Sequence, residues 1–137
     1  MLTVNQLLMQ RLTPRDRMGG DCFIKALAFI LQGVAHYTDL EEIVMREQPH
    51  YSPYRRGSGV YGFKFLGQSR TLYGREFHII VTDRVLLDRF ISRHGGGTNL
   101  VTNHNHAFVV KDGEVFDGNP PRWNVPIVNV WKVENPA

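Results

Sequence analysis

Apolar residues recur every three or four positions in the first third of the chain, which is the spacing along one face of an α-helix. This pattern predicts a short helix over residues 2–11, a second helix over residues 22–32 and a third over residues 38–46. Asp21 directly precedes the second helix and is its expected N-cap. A glycine pair lies just before Asp21, so the second helix is expected to begin at a sharp turn.

In the second half of the chain the pattern changes to short apolar runs bounded by turn residues, which predict strands. The clearest element is a hairpin over residues 105–111 and 114–117, joined by an Asp-Gly dipeptide that suits a two-residue turn. The remaining predicted elements are strands over residues 77–82, 99–102 and 125–133 and a helix over residues 83–94. Helices followed by mostly antiparallel strands are typical of an α+β fold.

The chain has 137 residues, of which 42% are hydrophobic and 21% are charged. These values fit one globular domain over residues 1–137. No apolar run approaches the roughly 18 residues that a membrane span requires. The N-terminus lacks the basic start and apolar block of a secretory signal. We therefore expect a cytoplasmic protein that makes no membrane contact.

Charge and cysteine content narrow the chemistry further. The net charge of +3 is too small by itself to indicate a nucleic-acid partner. The single cysteine, Cys22, excludes an internal disulfide and a structural zinc site built from several cysteines. A lone cysteine favours a reducing compartment, where it is either a small buried hydrophobe or a thiol with a chemical role.

Cys22 is a candidate nucleophile because it stands at the predicted start of a helix, close behind a glycine turn. The helix dipole and the N–H groups of a first turn favour an anion, and the thiolate is the nucleophilic form of cysteine. The same N–H groups can stabilise an oxyanion during acyl transfer. The position therefore predicts an activated thiol.

His106 and Asp117 are candidate partners for this thiol, one on each strand of the predicted hairpin. With a two-residue turn, His106 lies opposite about residue 119, so Asp117 is its diagonal neighbour. A carboxylate there can hold the imidazole in one tautomer and let it face the thiol. Each residue alone is commonly structural, but together they follow the triad logic of nucleophile, base and orienting group.

Two segments resemble papain-like cysteine peptidases. Residues 21–31, D-C-F-I-K-A-L-A-F-I-L, are similar to the nucleophile helix of this family and closest to the bacteriocin-processing peptidases that cut after double-glycine leaders. Residues 106–118, H-A-F-V-V-K-D-G-E-V-F-D-G, are similar to a second block in which histidine begins an apolar strand and aspartate closes the next strand. Ovarian-tumour-type deubiquitinases are similar more distantly.

The resemblance implies a papain-like α+β fold, with N-terminal helices packed on a C-terminal antiparallel sheet. It also implies a small peptidase or related thiol amide hydrolase that acts on a protein or peptide substrate and uses no metal or cofactor. In this family pattern Cys22 is the nucleophile, His106 is the general base and acid, and Asp117 is the orienting residue.

Two positions depart from the family pattern. Asp16 stands six residues before the cysteine, where the family usually carries glutamine as an oxyanion donor. Gln10 and Asn5 are the candidate substitutes for that amide. Phe23 follows the cysteine directly, where the family tends to have glycine.

A metal site is an alternative interpretation of some of the same residues. His104 and His106 are two residues apart, so on a strand both imidazoles face one side. Together with Asp117, Cys22 or His94 they could bind zinc or iron. In that case His104 is as necessary as His106, whereas a peptidase does not need it.

Residues 49–75 offer another alternative, because they carry five lysines or arginines, four tyrosines and no carboxylate. Cations interleaved with rings are typical of surfaces that bind single-stranded nucleic acid. An ordinary basic loop with one short strand or helical turn has the same composition, as does a specificity loop that lines a cleft and favours acidic substrates. A non-catalytic papain-like module that binds a protein or a nucleic acid is the remaining alternative.

Overall fold

A computed structural model describes residues 4–12, 21–52, 54, 59–103, 106–117 and 126–134. Within these residues the helices are α1 (Val4–Arg11), α2 (Cys22–Ile30), α3 (Tyr37–Glu47), α4 (Gly62–Leu66) and α5 (Leu87–His94). The strands are β1 (Ser69–Leu72), β2 (Arg75–Val81), β3 (Val85–Leu86), β4 (Thr98–Thr102), β5 (Ala107–Lys111), β6 (Glu114–Phe116), β7 (Pro126–Ile127) and β8 (Asn129–Glu134). Helices dominate the first half of the chain and strands the second.

Six of the strands form one sheet in the order β1-β2-β8-β4-β5-β6, and β3 pairs with β7 in a separate two-stranded sheet. Each of these pairings is antiparallel, which confirms the predicted α+β class. The last strand of the chain lies between β2 and β4, so the sheet depends on contacts between distant parts of the chain. No helix in the described ranges is long and apolar enough to cross a membrane.

Both faces of the larger sheet are covered, because successive residues of its central strands enter opposite hydrophobic clusters. On β4, Leu100 packs in the cluster that contains α2 and α3, whereas Val101 packs in the cluster that contains α5 and β7. Trp131 and Val130 divide in the same way on β8. Burial on both faces explains the continuous apolar run at the start of β5, where four successive residues are buried.

Two predicted elements are divided in the structure. The helix predicted over residues 83–94 begins only at Leu87, because the two residues before it form β3 against β7. The strand predicted over residues 125–133 is divided at Val128 into β7 and β8, which belong to different sheets. Strands of two residues are too short to show a period, so pairing partners far along the chain decide their structure.

The β5–β6 hairpin follows the predicted register. Val109 pairs with Phe116, so the residue after Phe116 lies across from Phe108. Asp112 and Gly113 have positive φ values of 50° and 82°. A two-residue type I′ turn requires positive φ at both central residues, and its twist matches that of the flanking strands.

Gly62, the first residue of α4, lies against the ring of Phe23 in α2. A Cβ atom at Gly62 would be 2.6 Å from Phe23 Cε2, and this ring packs edge-on against Phe65 and Trp131. Because the buried ring can give way only by displacing its neighbours, we expect Gly62→Ala to lower the free energy of unfolding by about 1–3 kcal/mol. Urea denaturation measures the change.

The matched control for this variant is Gly59→Ala, because a Cβ atom at Gly59 meets nothing within 4 Å. Both substitutions remove the same backbone freedom from the unfolded chain, so the contact with Phe23 is the difference between them. Equal free energies of unfolding in the two variants would contradict the predicted contact.

Candidate active site

Three elements bring Cys22, His106 and Asp117 together. Cys22 is the first residue of α2, His106 directly precedes β5, and Asp117 directly follows β6. Since α2 packs on β5 and β5 pairs with β6, the start of the helix lies at the open end of the hairpin. The structure thus assembles the three residues that the sequence analysis selected.

His106 and Asp117 form the tightest contact of the site. The imidazole Nε2 lies 2.7 Å from each carboxylate oxygen of Asp117. The side chains are 24% and 4% exposed, so the carboxylate is held in the protein while one side of the ring remains open. The contact is the diagonal one predicted from the hairpin register.

The contact changes the protonation of the imidazole. The hydrogen bond with Asp117, and next the hydrogen bond with the Cys22 side chain, raise the pKa of His106 from 6.5 to about 10, while partial burial acts in the opposite direction. The ring is therefore an imidazolium at neutral pH. Because Nε2 is engaged by Asp117, Nδ1 is the ring nitrogen left for the sulfur.

The sulfur of Cys22 has a second donor. The backbone N–H of Ala107 donates to Sγ at 3.3 Å. Cys22 is partly exposed, so a small reagent can approach the sulfur. The sulfur thus has two described polar neighbours, the backbone N–H of Ala107 and the imidazolium of His106.

Asp21 occupies the predicted N-cap position of α2 but does not cap the helix with its side chain. Its buried carboxylate instead accepts a hydrogen bond of 2.6 Å from the Tyr37 hydroxyl, and Lys25 Nζ lies 3.6 Å away. Burial and this hydrogen bond raise the pKa of Tyr37 far above its ordinary value. The prediction that the Asp21 side chain caps α2 was therefore wrong. The Asp21 side chain leaves the first-turn N–H groups of α2 without a cap.

A cleft of about 630 Å³ opens beside the sulfur and the imidazole. One wall comes from the segment that leads into α4, and the other comes from the ends of β4 and β8. The described lining residues are Cys22, Phe23, Gly59, Val60, Tyr61, Gly62, Phe63, Lys64, Thr102, Asn103, His106, Ala107, Val128 and Asn129. The site is thus open to an extended molecule.

Gln48 holds the α4 wall of this cleft in place. Its side-chain amide donates to Tyr61 O at 3.0 Å and accepts from Tyr61 N at 2.9 Å. Both backbone polar groups of Tyr61 are therefore paired with Gln48. The side chain of Gln48 is buried, and the ring of His50 stacks on that of Tyr61 with centroids 4.6 Å apart. The sequence analysis missed Gln48 and Tyr37, because neither belongs to a motif and both contact residues at least 13 positions away.

The candidate oxyanion donors fall in different places. Asn5 donates to Val115 O at 3.0 Å, so its amide is engaged at β6 and is not part of the cleft lining. Gln10 lies in α1, but its side chain is outside the described set, and Asp16 lies outside the described residues altogether. The first turn of α2 and the N–H of Ala107 are therefore the described backbone donors next to the sulfur.

The alternative interpretations gain no geometric support. His104 lies outside the described residues, and no group of three metal-binding side chains occurs among the residues that are described. In the basic segment, Arg70 donates to both carboxylate oxygens of Glu47 at 2.8 and 2.7 Å and is already paired. The described part of residues 49–75 contains α4 and β1, two elements where a loop with one short strand or helical turn was expected.

No protein-family model, no curated protein and no solved structure matches this chain. Any function therefore follows from the chemistry of the site itself.

Proposed function

We propose that this chain is a cysteine-dependent acyl hydrolase that cleaves a peptide bond or a related amide, in the manner of papain-like peptidases. Cys22 is the nucleophile, His106 is the general acid and base, and Asp117 is the positioning residue. The observation that carries the proposal is the contact of one imidazole with both a buried carboxylate and the only thiol, at the edge of an open cleft.

The first half of the reaction forms a covalent intermediate. The thiolate of Cys22 attacks the acyl carbon, a C–S bond forms, and the carbonyl oxygen takes the negative charge. When the C–N bond breaks, the imidazolium of His106 transfers its proton to the nitrogen, and the amine leaves. The products of this half are a thioester on Cys22 and a neutral imidazole.

The second half consumes water. The neutral imidazole removes a proton from water, the resulting hydroxide attacks the thioester carbon, and the C–S bond breaks. A carboxylic acid leaves, and the thiolate and the imidazolium are restored. One amide and one water thus become one acid and one amine.

The start of α2 suits the charge that develops between these steps. The first N–H groups of a helix have no partner within the helix, and Asp21 does not cap them with its side chain. Oriented N–H groups beside a nucleophile stabilise an oxyanion, and each such donor can contribute about a hundredfold to a thousandfold in rate. The backbone itself can therefore fill the role that a glutamine side chain has in the family.

Hydrolysis of p-nitrophenyl acetate tests the proposal without knowledge of the natural substrate. The expected result is a burst of p-nitrophenol close to one per chain, together with an acetyl adduct that mass spectrometry locates on Cys22, because acylation precedes hydrolysis. Cys22→Ala and His106→Ala are expected to lose both the burst and the adduct. Release of p-nitrophenol without a burst, or at the same rate in Cys22→Ala, would count against the proposal.

A further inference from the structure

Lys64 brings a positive charge to the lining of the cleft beside Cys22. Among its described lining residues there is no aspartate and no glutamate, and the cationic groups are Lys64 and the imidazolium of His106. The imidazolium is balanced by Asp117 and by the thiolate that the proposed mechanism assigns to Cys22, so Lys64 is the cation left to attract a negatively charged substrate. The charge of the cleft therefore bears on which substrates enter it.

Glu47, the carboxylate that shares a second hollow with Lys64, is already paired. This smaller hollow adjoins the end of α3. Arg70 engages both oxygens of Glu47, and this hydrogen bond lowers the pKa of the Glu47 carboxyl. A bidentate arginine partner leaves the carboxylate little capacity to hold a second cation, so the charge of Lys64 is not cancelled from behind.

The wall that carries Lys64 is well held and partly apolar. Gln48 fixes the backbone of Tyr61, and Gly62 packs on Phe23, so Lys64 is placed one turn further along a fixed segment. The rings of Tyr61 and Phe63 remain 59% and 47% exposed. The ammonium group of Lys64 together with these exposed rings suits a side chain that ends in a carboxylate and has methylene groups behind it.

We propose that Lys64 makes this site selective for substrates with an acidic side chain beside the bond that is cleaved. This inference rests on the proposed function, since it concerns what the same cleft accepts. The carboxylate of the substrate pairs with Lys64 Nζ, and its methylene groups and neighbours lie on the exposed rings. The absence of a described carboxylate in the lining removes the repulsion that would oppose such a substrate.

Two small alkylating reagents test the charge at the sulfur directly. Iodoacetate carries a carboxylate where iodoacetamide carries an amide, so the ratio of their rates with Cys22 measures attraction of an anion. At low ionic strength, Lys64→Glu is expected to lower this ratio about threefold to tenfold, and Lys64→Gln by a smaller factor. Lys111→Glu is the matched control, because Lys111 is exposed at the far end of β5, and it is expected to leave the ratio unchanged.

Two peptide reagents test the substrate class. Acetyl-Gly-Glu and acetyl-Gly-Gln chloromethyl ketones carry the tested side chain beside the reactive carbonyl, differ only in one carboxylate and alkylate the same thiol. The unaltered chain is expected to react about threefold to tenfold faster with the Glu reagent, and Lys64→Glu is expected to abolish or reverse that preference. Equal rates with the two reagents in the unaltered chain, or a preference that survives in Lys64→Glu, would overturn the inference.

The inference and the proposed function fail in different ways. If the site is not catalytic, p-nitrophenyl acetate gives no acyl intermediate on Cys22, whatever the preference between charged reagents. If Lys64 does not select the substrate, the acyl intermediate forms but the Glu and Gln reagents react alike. Each experiment therefore decides one claim.

Discussion

Alkylation of Cys22 by iodoacetamide at pH 6 is expected to be about 30-fold to 300-fold slower in His106→Ala than in the unaltered chain. Only the thiolate reacts, and an ordinary thiol with a pKa of about 8.5 is about 0.3% ionised at pH 6. The proposed mechanism requires the thiolate of Cys22, and in the unaltered chain the imidazolium of His106 and the N–H of Ala107 both contact the sulfur. The ratio of ionised fractions sets the upper end of the range. The lower end allows for the weaker nucleophilicity of a less basic thiolate.

Mass spectrometry of the intact chain over time gives the alkylation rate for the single thiol. His78→Ala is the matched control, since His78 lies on β2, 3.6 Å from Glu76 and outside the cleft lining. We expect its rate to stay within about twofold of the unaltered chain, because it has no contact with the sulfur. Slow and equal alkylation of all three chains would show that Cys22 is an ordinary structural thiol.

The elements that were predicted correctly are those whose information is local. The hairpin depends on an Asp-Gly dipeptide and two adjacent apolar runs, and its register follows from the two-residue turn. That register alone predicts that His106 and Asp117 are diagonal neighbours, and the structure confirms their contact. Likewise, α2 was predicted from its apolar period, although six of its nine residues are buried and the burial extends beyond the single face that was expected.

The elements that were missed depend on contacts between distant parts of the chain. β3 and β7 are two residues long and exist because they pair with each other across some forty residues of chain. Asp21 has the sequence signature of a cap, but in the fold its buried carboxylate meets the hydroxyl of Tyr37. A buried carboxylate is stabilised by any donor that the fold supplies. The preference of aspartate for helix N-cap positions does not identify that donor.

The cleft itself could not be predicted, because its lining comes from four separate parts of the chain. α4 is five residues long and lies against α2 through Gly62, a glycine with no recognisable motif around it. Gln48 fixes that wall through two hydrogen bonds to one backbone unit. The nucleophile was thus visible in the sequence, whereas the shape that admits a substrate was not.

Asp117→Asn is expected to flatten the dependence of stability on pH between about pH 6.5 and pH 10. His106 has its pKa raised from 6.5 to about 10, chiefly by the hydrogen bond with Asp117. A raised pKa means that the folded chain holds a proton that the unfolded chain releases, so stability falls as pH rises. The contribution is fully present below pH 6.5 and is lost as pH passes through about 10.

The size of the effect follows from the geometry of the pair. Hydrogen bonds with a charged partner contribute about 1.5–3 kcal/mol, and Asp117 is buried while the imidazole is partly exposed. Between pH 6.5 and pH 10, we therefore expect the free energy of unfolding of the unaltered chain to fall by about 1.5–3 kcal/mol more than that of Asp117→Asn. Urea denaturation at each pH gives both curves, and asparagine keeps the shape of the side chain.

A second aspartate variant separates this effect from a general loss of charge. Asp112 accepts a hydrogen bond of 3.0 Å from the backbone N–H of Gly97, a donor that does not titrate in this range. The curve of Asp112→Asn is therefore expected to run parallel to that of the unaltered chain, displaced by a constant. If the curve of Asp117→Asn is also parallel, the imidazolium is not stabilised by Asp117, and the orienting role assigned to this carboxylate is wrong.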